Sequence, residues 1–76
     1  MLTEIANTQH EIWSHWMRYQ FSVCVDNGDG SLTIPREKVE RWTRQMNTSY
    51  FDLSEKEQAS DIDQARKVFD AISLEL

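Results

Sequence analysis

The chain has 76 residues, a net charge of −5, a single Cys and eight aromatic side chains, three of them Trp. That length allows one domain over residues 1–76. The charge argues against duplex nucleic acid as a partner, since phosphate-backbone affinity comes from Lys and Arg, and lone Cys24 excludes an internal disulfide and fits a reducing compartment or a buried thiol.

Taken in chain order, the first element is a helix from Thr3, a capping residue with Glu4 just inside, to about Val23. At about 100° per residue, Leu2, Ile5, Ala6, Ile12, Trp13, Trp16, Met17 and Phe21 fall within one half of the wheel. Glu4, Glu11, His15 and Arg18 lie opposite, which predicts an amphipathic helix with a wide buried face. His10 stands at the edge of that arc and His15 projects to solvent.

The next stretch, Val25 to Glu37, reads VDNGDGSLTIPRE and resembles a calcium loop at first sight. An EF-hand needs oxygen ligands at alternate positions, Gly at the sixth and a bidentate Glu at the twelfth. With Gly30 at the sixth position, Val25 and Arg36 take the two anchoring places. With Asp26 and Glu37 as the anchors, Gly28 and Gly30 occupy ligand places. The pattern is one residue out in either frame, so the segment is expected to form a Gly-rich turn and to hold no metal.

A second helix is predicted from Pro35 to about Met46, ended by Asn47 in a left-handed conformation. Its apolar stripe is narrow: Val39, Trp42 and Met46, with Leu32 and Ile34 entering from the loop. Glu37 with Arg41, and Glu40 with Arg44, have the i, i+4 spacing of exposed ion pairs. Residues 31–46 sum to +2 between acidic flanks, enough to meet one anionic group.

The third helix has the sharpest start: Ser54 stands three residues before Glu57, the capping-box spacing. From Glu55 to about Ser73 its apolar arc carries Ala59, Ile62, Ala65, Phe69 and Ile72. Tyr50 and Phe51, in the irregular connection before it, are expected to close the base of the core. The fold class is therefore all-α, a small three-helix domain with a turn-rich loop between the first two helices.

Chemistry is sparse. There is no zinc spacing of Cys and His, no phosphate-cradling Gly-rich loop ending in Lys-Ser or Lys-Thr, and no family context for a Cys–His pair. No enzymatic activity and no cofactor are expected. No apolar run approaches the ~20 residues of a membrane span, and the N-terminus lacks the basic stretch of a secretory signal. The expected setting is the cytoplasm, with no membrane partner.

Two stretches, IANTQHEIW (Ile5 to Trp13) and YFDLSEKEQASDIDQARKVFDAI (Tyr50 to Ile72), together resemble the ryanodine-receptor repeat domain. Ala6, His10 and Trp13 fill the Ala and His-x-x-Trp positions of that family's first helix. Tyr50, Leu53, Glu57 and Asp61 fill those of its last. Ser49, Gln58 and Ile62 replace the Pro, Lys and Arg that the family commonly carries. The middle of the chain looks closer to short stand-alone phage and bacterial members. The resemblance implies a helical, non-catalytic module that recognises or sequesters a nucleotide-derived signal, NAD-derived or cyclic, in the host cytoplasm if phage-encoded.

The candidate ligand wall is His10, Trp13 and Tyr50, with Trp42 and Arg44 from the second helix: rings to stack a base and a guanidinium to meet a phosphate. The plainer alternatives are that Trp13, Trp16 and Trp42 are core and that His10 donates to Asp61 as a tie between helices. A different function, protein docking or homodimerisation without a small ligand, is the second expectation.

Overall fold

Helix α1 runs from Leu2 to Val23 in the computed structural model, which describes residues 1–75. Thr3 lies inside the helix rather than capping it. Met1 takes the cap position, its carbonyl accepting from the Ile5 N–H at 3.1 Å, and its ammonium sits 2.7 Å from Glu4 Oε2. That ion pair, foremost among the causes, lowers the Glu4 pKa. The first turn is thus closed by backbone and not by the Thr3 hydroxyl that was expected to do so.

The Gly-rich loop forms a hairpin. Strands β1 (Val25–Asp26) and β2 (Leu32–Thr33) pair antiparallel, with Val25 opposite Thr33 and Asp26 opposite Leu32. Gly28 and Gly30 have φ of 81° and 91°, the left-handed region that the Asn-Gly and Asp-Gly steps predict. The loop carboxylates turn inward to its own donors: Asp26 Oδ1 accepts from the Gly28 N–H at 2.8 Å, and Asp29 Oδ1 from the Ser31 N–H at 2.9 Å. The Ser31 hydroxyl also donates to Asp29, and with the backbone bond it lowers the Asp29 pKa. These are Asx turns, in which the side chain mimics the backbone it bonds.

Helix α2 spans Arg36–Met46, with Pro35 as the preceding cap and not the first helical residue. Asn47 ends it at φ −100°, ψ 9°, so the left-handed cap expected there does not form. Side chains do that work instead: Asn47 Nδ2 donates to the Thr43 carbonyl at 2.8 Å and Thr48 Oγ1 to the Arg44 carbonyl at 2.6 Å. They satisfy carbonyls that the helix end would leave orphaned. A single 3₁₀ turn, Tyr50–Asp52, then leads to α3, Glu55–Glu75. The capping box is present: the Ser54 Oγ accepts from the Glu57 N–H at 3.2 Å and donates to Glu57 Oε1 at 2.8 Å.

The only substantial helix–helix packing among the described residues is α1 against α3. It covers less than the sequence predicts. On α1 the covered face carries Ile5, Ile12, Trp16 and Tyr19, all half-buried, around Thr8, which at 7% exposure is the one buried residue described. The adjoining stripe of Leu2, Ala6, His10, Trp13 and Phe21 stays exposed. On α3 the side turned inward is Ser60, Gln64, Val68 and Ala71, while Ile62 and Phe69, expected in the core, are 44% and 68% exposed. Tyr50 and Phe51 do not close a core either, and Phe51 is 87% exposed. The radius of gyration is 15.3 Å, against about 11 Å for a compact domain of this length.

Candidate functional site

Where the second half of α1 meets the start of α3, α2 stands beside both and borders a half-open cleft of about 680 Å³. That lies within the range of about 300–1,000 Å³ typical of small-molecule sites. Its aromatic side is Trp16 and Tyr19 from α1 and Trp42 from α2. Their rings meet edge to face, Trp16 to Tyr19 at 6.2 Å and Tyr19 to Trp42 at 6.5 Å between centroids. Edge-to-face contact leaves ring faces available, and all three residues are half-buried, so a planar group can enter beside them.

The polar side is set by α2. Arg41 and Arg44 do not form the expected pairs with Glu37 and Glu40, and Glu40 instead lies 3.6 Å from Arg36. Arg41 Nη2 donates to the Tyr19 hydroxyl at 2.8 Å, and Arg44 Nη2 to Glu57 Oε2 at 3.0 Å. Gln45 Nε2 donates to the same oxygen. Hydrogen bonds from Gln45, Ser54 and Arg44 hold the Glu57 carboxyl down to about 2 from an ordinary 4.5. A carboxylate anchored by its own capping box is a better partner than a free surface Glu, because less side-chain freedom is lost on pairing.

The two arginines consequently differ in what they have left. Arg44 is neutralised by Glu57, whereas Arg41 has no carboxylate within ion-pair distance among the described residues, and neither does Lys56 on the opposite wall. The lining carries Arg41, Arg44 and Lys56 against Glu57 and Asp61. A guanidinium held by a neutral phenol keeps its charge and its remaining N–H donors for an anion.

Of the five expected wall residues, Trp42 and Arg44 line this cleft and His10, Trp13 and Tyr50 do not. His10 lies stacked on Trp13, 5.7 Å between centroids, on the exposed stripe of α1. It makes no side-chain hydrogen bond to Asp61, which faces the cleft. Trp13 is 55% exposed and so is not core. Tyr50 contacts Phe51 edge-on, and its carbonyl, not its hydroxyl, ties to α3 by accepting from Gln58 Nε2 at 2.9 Å. The wall residues not anticipated are Tyr19, Arg41, Lys56 and Trp16, the last expected only in the core. Tyr19 was detectable, since at about 100° per residue it extends the apolar arc of α1 beside Ile12.

No group of three or more His, Cys, Asp or Glu among the described residues is placed to hold a metal ion, and no described helix is long and apolar enough to cross a membrane. Fold and cleft together define a small all-α domain with an aromatic, arginine-bearing cleft among its three helices. Comparison with protein-family models, curated proteins and solved structures returned no match.

Proposed function

We propose that this chain is a non-catalytic binding module whose three-helix cleft takes a small anionic ligand with a flat ring, a nucleotide-derived signal of the NAD-derived or cyclic kind. The observation that carries the reading is Arg41: a charged guanidinium with no carboxylate partner among the described residues, set by Tyr19 beside Trp42 and Trp16. Rings offer stacking and the arginine offers phosphate recognition, the pairing that a nucleotide site uses. The resemblance to the ryanodine-receptor repeat supports the same reading, and three of its positions, Leu53, Glu57 and Asp61, line this cleft. Such a role belongs in the cytoplasm, that of the host for a phage-encoded module.

The test is a thermal-shift and tryptophan-fluorescence screen with nucleoside phosphates, cyclic nucleotides and ADP-ribose. A ligand at a hundred times its Kd stabilises by about 2.7 kcal/mol, a large shift for a domain this small. Trp16 and Trp42 report occupancy directly. A flat response to every member of the panel sinks the reading.

A second reading, a protein-interaction module with no small ligand, is favoured by a separate observation. No apolar side chain among the described residues is buried, and the accessible surface is 6147 Å².

A further inference from the structure

The 6147 Å² that this 9.0 kDa chain exposes compares with about 4,900 Å² for a folded monomer of that mass. The excess, roughly 1,300 Å², falls in the range of about 1,000–2,500 Å² that each protomer of an obligate homodimer buries. One further interface of ordinary size would return the chain to normal burial. Because no apolar side chain among the described residues is buried without that interface, the partner has to be present whenever the chain is made, and a second copy always is.

The surface for it is on α3. Ile62, Ala65, Phe69 and Ile72 follow the 3-4-3 spacing of a coiled-coil seam, and Ile62, Ala65, Arg66 and Phe69 already outline a shallow recess of about 290 Å³ on the outer side of the helix. Small Ala65 between two large side chains allows close approach of a second helix. The flanks decide its direction. With Ile62 and Phe69 at the first seam position, Asp61 and Arg66 take the flanking places that a parallel pair brings together across the interface. An antiparallel pair would set Arg66 against Arg66. We infer that the chain is a homodimer in which α3 pairs in parallel with α3 of a second copy, through the Ile62–Ala65–Phe69 seam and reciprocal Asp61–Arg66 contacts. This rests on the interaction-module reading and names its partner. Asp61 also lines the cleft, whereas Phe69 lies outside it, so the Phe69 variant tests the seam independently of any ligand.

Sedimentation velocity on the full chain tests it, with thermal unfolding followed by circular dichroism on the same samples. The expected result is twice the 9.0 kDa chain mass, and a melting temperature that rises with concentration, as for any obligate dimer. Phe69→Glu is expected to dissociate the dimer and lower that temperature. Asp61→Arg alone weakens association by roughly three- to tenfold through like-charge flanks, and Asp61→Arg with Arg66→Asp restores it. A dimer indifferent to all three variants overturns the α3 seam while leaving self-association standing. A monomer at about 100 µM that unfolds cooperatively overturns both.

Discussion

The Arg44 guanidinium donates to Glu57 Oε2 at 3.0 Å, tying the last turn of α2 to the first turn of α3. The other oxygen of the same carboxylate completes the capping box with Ser54. One side chain therefore starts a helix and sets the angle at which the neighbouring helix borders the cleft.

Acid should release that joint. The folded-state pKa of Glu57, about 2, lies below its ordinary value of 4.5, so its contribution is complete above the unfolded value and is lost as pH falls from there through the folded value. Asp29 and Glu4 are shifted in the same direction. Melting temperatures followed from pH 6 to about pH 2 should fall most steeply below about pH 4.5, and Glu57→Gln should flatten that slope. An identical slope in the variant would remove Glu57 from the account.

Ser54→Ala removes the hydroxyl that accepts the Glu57 N–H. Loss of an N-cap typically costs about 1 kcal/mol, which for a domain of this size lowers the melting temperature by roughly 4–8 °C. Ser54→Asp, which keeps a capping acceptor but places a second carboxylate beside Glu57, should recover only part of the loss. Calorimetry on the two variants separates cap from charge.

Arg41→Gln keeps a donor for the Tyr19 hydroxyl and removes the charge. An exposed neutral hydrogen bond contributes about 0.5–1.5 kcal/mol, so the free protein should melt within a few degrees of the parent. Any stabilisation by nucleotides should disappear. Arg44→Gln should do the reverse, lowering stability while leaving part of the ligand response.

Gly28→Ala and Gly30→Ala meet no atom within 4 Å, so no clash contributes. What remains is the conformational penalty of a Cβ at φ 81° or 91°, about 1–2 kcal/mol each. Amide exchange should rise in residues 25–33 and stay unchanged at the cleft. A larger or more distant effect would mean that the hairpin supports the helices.

Local features of this chain were legible because their causes are local. Ser54 and Glu57 stand at the spacing that makes a capping box, and Gly28 and Gly30 are where a tight reversal needs a positive φ. α1 ends at Val23 and α2 at Met46 as expected, although Asn47 closes α2 without the left-handed conformation that marked its end. Trp42 and Arg44 were expected at a ligand wall and do line the cleft, but the other three members of that wall do not. His10 and Trp13 share a helix face with no neighbouring helix over it. Spacing along one helix cannot reveal whether a second helix covers that face.

The sequence by itself determined the three helices through their apolar periodicity, and the Gly-rich turn and the start of the third helix through side chains that bond to backbone within a few residues. Tertiary structure alone decided which part of the α1 arc is covered, and that α3 turns Ile62 and Phe69 outward. It also decided that Arg41 goes to Tyr19 and Arg44 to Glu57 rather than to their own helix. Those choices depend on how rigid helices are set against one another, where a side chain takes whichever partner is already held in place.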